Sequence, residues 1–88
     1  MRVEFKRSFL KDLQRVRDPQ LKRQVKQAIQ RVEEAQTLQE MGDIKKLRGG
    51  ERCYRVRLED YRLGLVLEED KVIFVRFLHR KDVYRYFP

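Results

Sequence analysis

Apolar and polar positions alternate with a period of two from Cys53 to Leu58 and again from Tyr61 to Leu67, with the polar pair Glu59-Asp60 between the two runs. Alternation marks a half-buried strand, and so short a polar break predicts a tight hairpin. Placing Leu58 opposite Tyr61 sets Arg57 opposite Arg62, Val56 opposite Leu63 and Arg55 opposite Gly64. One face then carries Tyr54, Val56, Leu58, Tyr61, Leu63, Leu65 and Leu67, and the other carries Arg55, Arg57 and Arg62 around a glycine. The first face is predicted core. Like charges opposed on paired strands are destabilising, so folding alone gives no reason for the second face, and an anionic ligand would supply one. Simple solubilisation of a wet sheet face is the plainer reading of the same arginines. Gly64 leaves room for a ligand or another backbone to approach, or marks a bulge.

The flanking segments follow their own periods. Val3 and Phe5 alternate with charged residues, a short strand over 2–6. Ser8 is placed to cap a helix over 9–16 through its hydroxyl, with Phe9, Leu10, Leu13 and Val16 on one face. Asp18-Pro19 is a strong restart, and Leu21, Val25, Ala28, Ile29, Val32 and Ala35 predict a second helix over 19–39. Its opposite face, with Lys22, Arg23, Lys26 and Arg31, is predicted to be solvated, and the two helices form an antiparallel helical hairpin. Gly42 ends the second helix, and Ile44 to Leu47 with Arg48-Gly49-Gly50 makes a short link or strand. Residues 72–78 are apolar on both faces, as in a central strand. With Leu67 opposite Val72, residues Ile73, Val75, Phe77 and His79 fall on the face of the arginines. The last ten residues predict one or two helical turns. The expected fold is α+β: a single domain over 1–88, with a twisted antiparallel sheet of about four strands, a helical hairpin on one face and a short C-terminal helix.

Charge sharpens this picture. A formal net charge of +8 on 88 residues, with a pI near 10.0, points to a polyanionic partner. A hydrophobic share of 41% argues for a folded chain in spite of an equal charged share. The lone Cys53 excludes an internal disulfide, and no cysteine–histidine pattern suggests a metal site. No apolar run approaches the ~20 residues needed to cross a bilayer, so a cytoplasmic protein is expected.

The order of a strand, a helical hairpin and the motif KLRGG…CYRVRLEDYRLGLVLEEDKVIFVRFLHRKDVYRYF resembles the RelE/ParE superfamily of toxins from bacterial type II toxin–antitoxin modules, over essentially the full length. Members similar to RelE are ribosome-dependent endoribonucleases that cut mRNA in the A site. Members similar to ParE poison DNA gyrase and lack the catalytic set. The resemblance carries the family's basic pair onto Arg55 and Arg57, its arginine after the hairpin onto Arg62, the arginine past the last strand onto Arg80 and the C-terminal tyrosine onto Tyr84. Two departures stand out. The RelE pattern has lysines at the positions of Arg55 and Arg57, and the link from Arg80 to Tyr84 is shorter, which leaves the general base open.

The chemistry so implied is attack of a ribose 2′-hydroxyl on the adjacent phosphate, without cofactor or metal. It needs a base, charge stabilisation and an acid for the leaving 5′-oxygen. Arginine clamps phosphate well but accepts protons poorly. His79 is therefore the candidate base, with Arg57 and Arg62 as clamps, Arg80 as stabiliser or acid, and Tyr84 as stacking platform or proton donor. A plain helix cap is the competing role for His79, and core packing with Val83 and Phe87 the competing role for Tyr84. Lys45, Lys46, Arg48 and Lys81 would extend an RNA-binding rim. The expected partners are a cognate antitoxin, the ribosome and mRNA, with no membrane. The alternatives are a gyrase-directed inhibitor and a catalytically inactive RNA-binding relic.

Overall fold

Two polar residues at each turn let the second half of the chain fold back on itself twice. In a computed structural model that describes residues 1–48 and 52–88, β3 (Cys53–Leu58), β4 (Tyr61–Glu68) and β5 (Lys71–His79) form an antiparallel meander. Its loops are Glu59-Asp60 and Glu69-Asp70, with Glu59 and Glu69 at positive φ of 54° and 53°. Gly49 and Gly50, part of the expected link, lie outside the described residues. The first part of that segment is a strand, one of its two expected forms: β2 (Ile44–Lys46), antiparallel to β3.

The first strand, β1 (Arg2–Phe5), pairs with β5 and runs parallel to it, so the sheet is mixed, in the order β1-β5-β4-β3-β2. The expected α+β fold with a sheet of about four strands holds, with β2 as the fifth, and the expectation of an all-antiparallel sheet is corrected at β1, which is parallel. A helix between β1 and the meander makes the parallel return possible, since such a connection needs a crossover.

Helices α1 (Arg7–Arg15) and α2 (Pro19–Glu34) cover one sheet face. Asp18 caps α2, its carboxylate accepting from the Gln20 and Leu21 amides. The helix stops at Glu34 rather than near Gln39, and a 3-10 turn over Leu38–Glu40 buries Leu38. Phe9, Val25, Ala28, Val32, Val56, Leu63, Leu65, Phe74 and Phe77 make the core between helices and sheet. No helix among the described residues is long and apolar enough to cross a membrane.

Ser8 does not cap α1, whose N-cap is Lys6. It donates instead to the Val75 carbonyl at 2.6 Å, and Asp12, one turn on, accepts from the Phe77 amide at 3.0 Å. Past the end of β1, these two side chains take over the bonding of the β5 edge. Asp12 is 4% exposed and also holds Arg76 in a bidentate pair at 2.7 and 3.1 Å.

The C-terminal helix α3 (Arg80–Tyr86) lies on the other sheet face. There Val83 and Phe87 are buried, and the Phe87 ring sits over Gly64 so closely that a Cβ would meet it at 2.7–2.9 Å. Gly64 is therefore required by the chain's own aromatic. The arginine face is half covered, not open.

Candidate functional site

The hairpin register is the one the alternation predicts: Arg57 opposite Arg62 and Arg55 opposite Gly64. Arg55, Arg57 and Arg62 consequently share a face, and they line an open cleft of about 480 Å³ together with Gly42, Asp43, Ile44, Lys45 and Tyr84. The floor comes from three adjacent strands and one wall from α3. An adjoining hollow of about 400 Å³ is lined by Lys45, Lys46, Leu47, Arg48, Arg55, Tyr84, Phe87 and Pro88. The two share Lys45, Arg55 and Tyr84, so the basic surface is continuous around the tyrosine.

Tyr84 is 74% exposed, unlike its neighbours Val83 and Phe87, which are buried. Packing does not account for its position. The Arg55 guanidinium lies 4.6 Å from the centre of its ring. Polar contact with Arg55 and the charge of that guanidinium hold the Tyr84 phenol below its ordinary value, and Arg62 and Lys45 add to the effect. Arg62 donates to the carbonyls of Glu59 and Tyr61 at 2.7 and 2.8 Å, which fixes its reach. Partial burial lowers the pKa of Arg62, as do the charges of Arg57, Arg55 and Arg80, with Tyr84 opposing them. The guanidiniums thus repel one another across the cleft, and a bound anion would relieve that repulsion.

Arg80 is beside this group but turned toward Asp60, with its Nε 3.8 Å from the carboxylate and its amide donating to the Asp60 carbonyl. Lys81 is exposed at the start of α3 and lines none of the hollows just described.

His79 is elsewhere. The β4–β5 pairing shifts between Gly64 and Leu65: Gly64 faces Arg76, Leu65 faces Phe74, and Val75 is left over. That extra residue reverses the faces for the rest of β5, so Phe77 and His79 join Tyr61 and Leu63 on the side of α1. The His79 ring meets Tyr61 edge-on at 5.4 Å and lines a small hollow with Asp12 and Arg15. Its Nδ1 accepts from the Lys81 amide as the N-cap of α3. The expectation that His79 shares the arginine face is therefore corrected.

Asp43 lines the cleft, and sequence reasoning did not single it out. Its proximity depends on the β2–β3 pairing, for which a three-residue strand leaves no periodic signal. Asp12 was also passed over, although a carboxylate between Phe9 and Leu13 on an apolar helix face is a legible sign of a buried ion pair.

Residues 3–84 match the family described as ParE toxin of type II toxin-antitoxin system, parDE. Toxin RelE3 of Methanocaldococcus jannaschii is 38% identical over 100% of both chains. A chain of the RelB-RelE antitoxin-toxin complex from Methanococcus jannaschii superposes with a TM-score of 0.81 at 36% identity, covering 97% of this chain and 99% of that one. The archaeal RelE-RelB complex from Pyrococcus horikoshii OT3 gives a TM-score of 0.74 at 24% identity, over 90% and 93% of the chains, a likeness of fold.

Proposed function

This chain belongs to the RelE/ParE superfamily, the toxins of type II toxin–antitoxin systems, and we propose that it is an endoribonuclease that cleaves mRNA on the ribosome and so arrests translation. One observation carries the reading: Lys45, Arg55, Arg57, Arg62 and Tyr84 converge on a single cleft. A gyrase binder has no need to gather groups for in-line phosphoryl transfer on one sheet face. The ribose 2′-hydroxyl attacks the neighbouring phosphorus. Arg57 and Arg62 hold the phosphate oxygens and neutralise the phosphorane charge, with Arg80 released from Asp60 to assist. Tyr84 stacks on a base or protonates the leaving 5′-oxygen, and a lowered phenol pKa makes it the better acid. Lys45, Lys46 and Arg48 guide the strand.

The partner that restrains this activity is a cognate antitoxin presenting acidic or amphipathic chain to the basic face. The relatives in complex with RelB support that assignment, as does the +8 charge. The protein then works in the cytoplasm, where the ribosome is.

Toeprinting on translating ribosomes tests the reading. New cuts in A-site mRNA are expected with the parental protein and not with Arg57→Ala or Arg62→Ala, each losing on the order of 100-fold to 1000-fold in rate by analogy with oxyanion donors. Intact mRNA together with gyrase–DNA adducts would replace it with the gyrase-directed alternative.

A further inference from the structure

With His79 on the far face, the cleft keeps arginines, a lysine and a tyrosine, but the 2′-hydroxyl still needs a proton acceptor. Among the described residues, one acidic residue, Asp43, lines the cleft. Lys45 pairs with Arg55 and Ile44 with Val56, and one step further the Arg57 amide donates to the Asp43 carbonyl at 3.0 Å. Asp43 therefore continues the β2–β3 ladder opposite Arg57, and Arg57 in turn lies opposite Arg62. Asp43, Arg57 and Arg62 form a row across three strands spaced about 4.8 Å apart, on the face that lines the cleft.

From the other side, α2 fixes the carboxylate. Arg31 Nη2 donates to Oδ2 at 3.0 Å and Nη1 to Oδ1 at 3.4 Å. A carboxylate has about four acceptor sites, so this fork leaves one free on each oxygen. The side chain is 32% exposed, open enough to meet a ligand and held in one orientation.

We infer that Asp43 takes the proton from the ribose 2′-hydroxyl, with Arg31 as its positioning residue. The inference rests on the nuclease reading above. The freed 2′-oxygen forms the new bond to phosphorus as the bond from phosphorus to the 5′-oxygen breaks, and the Tyr84 phenol supplies the proton to the departing oxygen. The products are a 2′,3′-cyclic phosphate and a 5′-hydroxyl. Asp43 ends as the acid and Tyr84 as the phenolate, and proton exchange with water resets both.

The competing role for Asp43 is to fasten α2 to the sheet through Arg31, and the test separates the two. Single-turnover cleavage of A-site mRNA would be followed against pH for the full chain and for Asp43→Asn, Asp43→Glu and Arg31→Gln, with rates scaled to the folded fraction from circular dichroism. Asp43→Asn is expected to slow cleavage at least about 100-fold and to flatten the acidic limb of the profile, while ribosome binding is retained. Asp43→Glu should recover part of the rate. Arg31→Gln should cost about tenfold or less and keep the limb. Equal losses in Asp43→Asn and Arg31→Gln, an unchanged acidic limb in Asp43→Asn, or no recovery in Asp43→Glu would each overturn the assignment. Failure of the parental protein to cut would overturn the nuclease reading first, and this inference with it.

Discussion

The Arg55 guanidinium over Tyr84 does two things at once, since it occupies the ring face and lowers the phenol pKa. Removing the charge in Arg55→Met should move phenolate formation to higher pH, read as absorbance in an alkaline titration against a Tyr84→Phe control. The sign for stability follows from the same direction. A depressed folded pKa adds stability that is complete above the unfolded phenol value and disappears as pH falls through the folded one. His79 gives the contrasting case. Its Nδ1 is engaged by the Lys81 amide and its ring by Tyr61, away from the cleft. His79→Gln should then retain the parental single-turnover rate and pH profile; a steep loss of both would return the base assignment to the histidine.

At the scale of elements, α3 is held by what the sheet lacks at Gly64. Gly64→Ala would drive a methyl into the Phe87 ring, whose nearest atom would be 2.7 Å away. Overpacking of this kind costs about 1–3 kcal/mol. Urea unfolding should show that loss, and the α3 amides should exchange faster, with cleavage falling because Tyr84 travels with the helix. On the opposite edge, Asp12→Ala removes the partner of Arg76 and the acceptor for the Phe77 amide. A loss of about 2–4 kcal/mol is expected, below the full cost for a buried pair because Arg76 is partly exposed. The elements were unequally legible in the sequence. Alternation made the β3–β4 register readable residue by residue, because both strands bury one face. It failed across β5, where Val72 to Val75 is apolar on both sides and a one-residue bulge leaves no mark. The parallel β1 was equally hidden, since Val3 and Phe5 alternate alike in either direction. Within the site, Arg55, Arg57 and Arg62 followed from the hairpin alone, whereas Asp43 needed the pairing of a three-residue strand.

For the molecule as a whole, the net charge of +8 sets how it meets a polyanion. If Lys45, Arg55, Arg57 and Arg62 each neutralise one phosphate, the logarithm of the affinity for single-stranded RNA should fall against that of salt with a slope of about −3. Arg57→Ala should lessen the slope by about 0.7. A flat dependence measured by fluorescence anisotropy would show that the cleft does not hold the backbone. The strands beneath that cleft also divide their labour by parity, with Tyr54, Val56 and Leu58 turned to the core and Arg55 and Arg57 to the cleft. Inheritance can work on the two sets separately. A lineage could exchange every cleft-facing residue of β3, acquiring a new target or losing its toxicity, while the buried set continued to specify the same shape. Such a scaffold permits descendants of one ancestor to attack unlike machinery without passing through an unfolded intermediate.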